Sequence, residues 1–95
     1  MALPEEFHGP HPGTRRVNCE TLSWHQTNGR VDRIRITAHT CECLATIFEL
    51  CHAGGLGFVR KTVRREDQAV VRESDWLNIP SAHGLFLRIL LGEAR

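Results

Sequence analysis

The stretch from His39 to Gly55, HTCECLATIFELCHAGG, holds three of the chain's four cysteines, two of its six histidines and a glycine pair, and its secondary structure decides what the rest can build. Leu44, Ile47, Phe48 and Cys51 recur at i, i+3, i+4 and i+7, which is one face of a helix, and Thr40 is an acceptable N-cap ahead of it. Gly54 and Gly55 would then end it in the left-handed conformation. The spacing therefore predicts a helix over 41–53. A buried strand is the rival reading, because Thr46, Ile47 and Phe48 are good strand formers. Cys43 and Cys51 would stand roughly 12 Å apart along a helix or roughly 26 Å along a strand, too far to share a tetrahedral metal with bonds of about 2.0–2.3 Å. Cys51 therefore reads as a small buried apolar residue.

Working outward, residues 15–39 read as a β-hairpin about Asn28-Gly29, the strongest short turn signal, with strand-like flanks. Such a turn pairs Ser23 with Ile34, Thr21 with Ile36 and Cys19 with Ala38. One face then carries Val17, Cys19, Ile34, Ile36 and Ala38, and the other Leu22, Trp24, Arg33, Arg35 and His39. Downstream, 58–65 and 69–74 read as a second hairpin with an acidic turn at Glu66-Asp67. A three-residue loop, pairing Val63 with Val71 and Lys61 with Glu73, is preferred over a two-residue loop, which would oppose Lys61 to Arg72. The segment PSAHGLFLRILLGEAR is the clearest helix. Ser81 can cap it, Ala82, Leu85, Phe86, Ile89 and Leu90 face inward, and Gly92 can end it. Leu87 and Leu91 widen the apolar surface, so the helix is either sandwiched or partly covered by a second chain, which makes a homodimer or a protein partner on this helix a hypothesis to test. The expected fold is α+β, a small sheet of two β-hairpins with two helices in the order ββαββα.

The 95 residues suffice for one domain with its own core, expected over 15–95 behind a flexible, proline-rich tail at 1–14. His8 and His11 in that tail could bind a metal weakly, although the preferred reading gives them no specific role. With 41% apolar residues, 24% charged residues and a formal charge of +1, bulk electrostatic attraction to nucleic acid or membrane is disfavoured, which leaves local patches as the question. No apolar run approaches a membrane span, and residues 1–13 lack the basic start and apolar core of a secretion signal. A cytoplasmic protein is expected, with its cysteines reduced or ligating metal.

Three kinds of site follow. Cys19, His39, Cys41 and Cys43 are candidate zinc ligands, since thiolates and imidazole suit that ion and the hairpin register brings Cys19 to the CEC loop. Packed cysteines are the alternative. For nucleic acid, the segment 30–65 holds seven basic residues against Asp32, Glu42 and Glu49. Arg33, Arg35, Arg60, Lys61, Arg64 and Arg65 could meet phosphates, and Trp24 could stack on bases. The run GFVRKTVRREDQAVV resembles the wing of winged-helix transcription regulators, in which a glycine leads into an Arg-rich strand, an acidic turn and a β-branched return strand. That resemblance implies phosphate contacts by Arg60, Arg64 and Arg65. It does not extend upstream, where a hairpin replaces the family's helix-turn-helix.

Catalytic groupings are weak by comparison. Cys51 and His52 are adjacent, so their side chains diverge on either a helix or a strand. The GGLG run follows the expected helix, whereas a phosphate loop leads into a helix N-terminus. The sequence thus reads as a small non-enzymatic binding protein, regulatory in character, that engages nucleic acid. A zinc-binding domain and a protein–protein interaction subunit are the alternatives.

Overall fold

The computed structural model describes residues 9–27 and 33–95. Its elements are β1 (His25–Gln26), β2 (Arg35–His39), β3 (Thr46–Ala53), β4 (Leu56–Arg65), β5 (Gln68–Glu73), β6 (Leu77–Asn78) and α1 (Ile79–Leu90). The strands form one antiparallel sheet in the order β1-β5-β4-β3-β2, with β6 also on β4. The protein is therefore mostly β with one helix at its C-terminal end, and the ββαββα order with two helices is overturned.

The decisive stretch is a strand. Phe48 and Leu50 pack with Val59 beneath α1, while Cys51 and Ala53 pack with Phe58 and Trp76 on the opposite face. Both faces are covered at the centre, so the strand is apolar on both sides, and a near-continuous apolar run also satisfies helical spacing by coincidence. Gly54 and Gly55 do adopt the left-handed conformation, with φ of 57° and 79°. They use it as the two-residue turn between Ala53 and Leu56, where two successive positive φ values match the twist of a hairpin.

The N-terminal hairpin is also overturned. β1 pairs with β5 and β2 pairs with β3, so the two flanks occupy opposite edges of the sheet. Ala38 lies opposite Leu50 instead of Cys19. The Asn28-Gly29 turn lies outside the described residues. Trp24 explains where the first flank goes: its ring packs on Phe48, with centroids 6.0 Å apart, and its Nε1 donates to the Arg95 oxygen at 2.8 Å.

In the second hairpin the two-residue loop prevails over the three-residue one. Arg65 pairs with Gln68, Val63 with Val70, and Lys61 stands opposite Arg72. Glu66 accepts a φ of 45° to make the turn. The like charges do not forbid this register because neither is aimed at the other. Lys61 Nζ lies 5.1 Å from the Trp24 ring centroid, and Arg72 turns back to the Val71 carbonyl at 3.0 Å.

The C-terminal helix forms where the apolar spacing places it, with Ala82, Phe86 and Ile89 buried. Its cap is Asn78, whose side chain accepts from Ser81 N at 2.8 Å, three residues ahead of the expected serine cap. Pro80 is tolerated in the first turn, where its missing N–H has no partner to lose. Gly92, with φ of 77°, follows the helix end. Leu87 and Leu91 stay exposed, at 55% and 44%.

Candidate metal centre

The β2–β3 connection is built as a rigid cradle. Thr40, fully buried, donates its N–H to the Phe48 carbonyl and accepts the Phe48 N–H on Oγ1, both at 2.9 Å. The next N–H, of Cys41, is given to Pro10 at 2.9 Å, which lays the N-terminal segment across the loop. Arg64 closes the other side. Its guanidinium donates to the Glu42 and Leu44 carbonyls, and its N–H donates to Ala45 O at 2.8 Å.

This scaffold gathers His11, Cys41 and Cys43, whose ligand atoms all lie within 4.8 Å of one another and could hold a metal ion. Cys41 Sγ and Cys43 Sγ are 3.1 Å apart, and Cys43 Sγ is 3.5 Å from His11 Nε2. The Cys43 backbone N–H, and further bonds from the Cys43 thiol, His11 and the Gly9 backbone, outweigh burial and hold the Cys41 pKa at about 6. Cys43 is shifted the other way, first by its bond to Cys41 and then by desolvation. The two shifts favour the thiolate on Cys41 and the proton on Cys43. A thiolate is the form a metal needs.

Two of the four sequence candidates are in this group and two are not. Cys19 is half-buried and directs its thiol to the Glu20 carbonyl at 3.6 Å, in a segment that bridges to Ala94. The Nδ1–H of His39 is engaged by the Thr40 carbonyl at 2.8 Å, and the residue stands opposite Glu49 in the β2–β3 ladder. His11 takes their place. Its tail had only a weak metal-binding reading of its own, and nothing local in HGPHPG announces the Cys41–Pro10 hydrogen bond that delivers it.

The residues expected to bind nucleic acid divide between the two sheet faces. Arg60 is paired with Glu49 at 2.9 Å, Arg64 braces the cysteine loop, and Lys61 and Trp24 pack against each other. Arg33, Arg35 and Arg65 are exposed. Cys51 is fully buried, and desolvation pushes its thiol up to about 11. Its neighbour His52 instead meets His83 of α1, with Nε2 atoms 3.0 Å apart. No helix among the described residues is long and apolar enough to cross a membrane. No family model, curated protein or solved structure matches the chain.

Proposed function

We propose that the chain is a small metal-binding domain in which His11, Cys41 and Cys43 hold one zinc ion, fastening the N-terminal segment onto the β2–β3 loop. The observation that carries this reading is the convergence of the three donor atoms from two distant segments. The donor set fits the ion. Two thiolates and an imidazole neutralise a divalent charge and match its preference for sulfur and nitrogen. Around a tetrahedral zinc two sulfurs stand about 3.8 Å apart, and a sulfur and a nitrogen about 3.5 Å. The Cys43–His11 spacing of 3.5 Å meets that requirement already. The two sulfurs, at 3.1 Å, need part by only about 0.7 Å. Three protein ligands leave one coordination position for water or an outside ligand.

Native mass spectrometry of untagged protein purified without chelator tests this. One zinc per chain is expected, lost from Cys41→Ser and Cys43→Ser and weakened in His11→Ala, but retained in Cys19→Ser. A metal-free spectrum after zinc has been supplied at micromolar concentration overturns the proposal. The nucleic-acid reading now depends on the exposed Arg33, Arg35 and Arg65. Oligonucleotide affinity that falls steeply with salt, and is lost on substituting those three, would support it.

A further inference from the structure

On the helix side of the sheet, three cationic side chains converge on one cleft. Lys61 comes from the middle of β4, Arg15 from the N-terminal segment and Arg95 from the C-terminal one. The cleft is about 400 Å³, within the range of small-molecule sites. Phe48 and Leu44 give it apolar surface, and Thr46 adds a hydroxyl. Among the described residues no carboxylate side chain lines it, and the ion pairs of the fold go elsewhere.

Lysines are almost never fully buried without a partner, and Lys61 is half-buried without an anionic one among the ion pairs of the described residues. Lys61 has aromatic rings instead: Nζ lies 5.1 Å from the Trp24 centroid and 5.9 Å from that of Phe48. Arg95 is held over Phe48 at 5.8 Å and donates to the Gly13 and Ile89 carbonyls. Arg15 reaches Thr21 Oγ1 at 3.4 Å. Lys61 and Arg95 are thus held in place before any ligand arrives, which lowers the entropy lost on binding. Their charges are mutually unfavourable. Burial first, then Arg15 and Arg95, pulls the Lys61 pKa below its usual value, and an anion in the cleft would relieve that repulsion.

We infer that this cleft is a binding site for a phosphomonoester with a small apolar body, its phosphate held by Lys61, Arg15 and Arg95 and its body laid over Phe48 and Leu44. Phosphate is favoured because it carries close to two negative charges and accepts the forked hydrogen bonds of arginine. The same group could come from a free small molecule or from a nucleic-acid end. The cleft adjoins the candidate metal centre through Pro12 and Leu44, but none of its three cations is a ligand there.

Isothermal titration with phenyl phosphate, alongside inorganic phosphate and uncharged phenol, provides the test. One phenyl phosphate per chain is expected, bound at least tenfold more tightly than inorganic phosphate, with no heat from phenol. Lys61→Met, which keeps the stem against Trp24, and Arg15→Gln should each weaken binding at least tenfold, while Lys61→Arg retains it. Circular dichroism of each variant separates loss of the site from loss of the fold. A 5′-phosphorylated oligonucleotide that displaces phenyl phosphate more efficiently than its unphosphorylated counterpart assigns the group to a nucleic-acid end. Failure to displace assigns it to a free small molecule. No saturable binding at millimolar phenyl phosphate, or binding unchanged in both Lys61→Met and Arg15→Gln, overturns the inference.

Discussion

Gly57 of β4 and Ala82 of α1 approach so closely that a methyl group on the glycine would lie 2.6 Å from the alanine Cβ. The helix rests on the sheet at this contact, and both residues are buried. Gly57→Ala should destabilise the protein by about 1–3 kcal/mol, because overpacking here has only backbone and a short side chain to push against. Gly84 provides the contrast. It lies inside α1 with open space around it, so Gly84→Ala should stabilise by up to about 1 kcal/mol. Urea midpoints of the two variants, moving in opposite directions, check both.

Thr40→Val should cost about 1–3 kcal/mol, because the Phe48 N–H loses its acceptor in a buried place. The same change loosens the first residue of the cysteine loop, so zinc affinity should fall with stability. Equilibrium unfolding with and without zinc measures the two effects together.

Arg64 is expected to matter to the metal more than to the fold. Its guanidinium orients the carbonyls on either side of Cys43 from an exposed position. Arg64→Met should lower zinc affinity by roughly tenfold or more, as outer supports of metal ligands do. Competition against a chromogenic chelator reads this directly, and an unchanged affinity would show that the loop holds its shape without the brace.

Cys51 supplies a pH dependence. Its folded pKa is raised by burial to about 11 from an ordinary 9.0. The neutral thiol is thus favoured in the folded state, and its contribution to stability is complete below pH 9. It is lost as pH rises toward 11, by about 2–3 kcal/mol at most. Cys51→Ala should flatten that part of the stability curve. At pH 8, in protein stripped of metal, the native thiol should also resist alkylation while Cys43, which is exposed, reacts.

How much of this was legible in the sequence depends on the range of the interaction concerned. The C-terminal helix could be read because Ala82, Phe86 and Ile89 face one side of a single element. The left-handed pair Gly54-Gly55 could also be read as a conformation, although a helix stop and a hairpin turn demand the same φ. Phe48 and Cys51 could not be separated, since a strand covered on both faces hides its alternation. Charge matching misjudged the β4–β5 register because the aromatic rings of Trp24 and Phe48 take up Lys61. In the candidate metal centre, Cys41 and Cys43 were visible as a motif, whereas His11 arrives through a backbone hydrogen bond that leaves no mark in side-chain pattern.

The seam between the two ends of the described chain carries a consequence for the order of folding. Gly13 bonds to Leu90, Arg16 to Gly92 and Glu20 to Glu93, and the Arg16 side chain reaches a carbonyl 75 residues away. The β3–β4 hairpin is local and belongs to the microsecond events, whereas a seam of such separation must await the closure of nearly the whole chain. Cys41 and Cys43 are therefore neighbours early, His11 joins Cys43 across a separation of 32 residues, and the seam closes last. In a refolding experiment, the closing of this seam would time the final step of assembly.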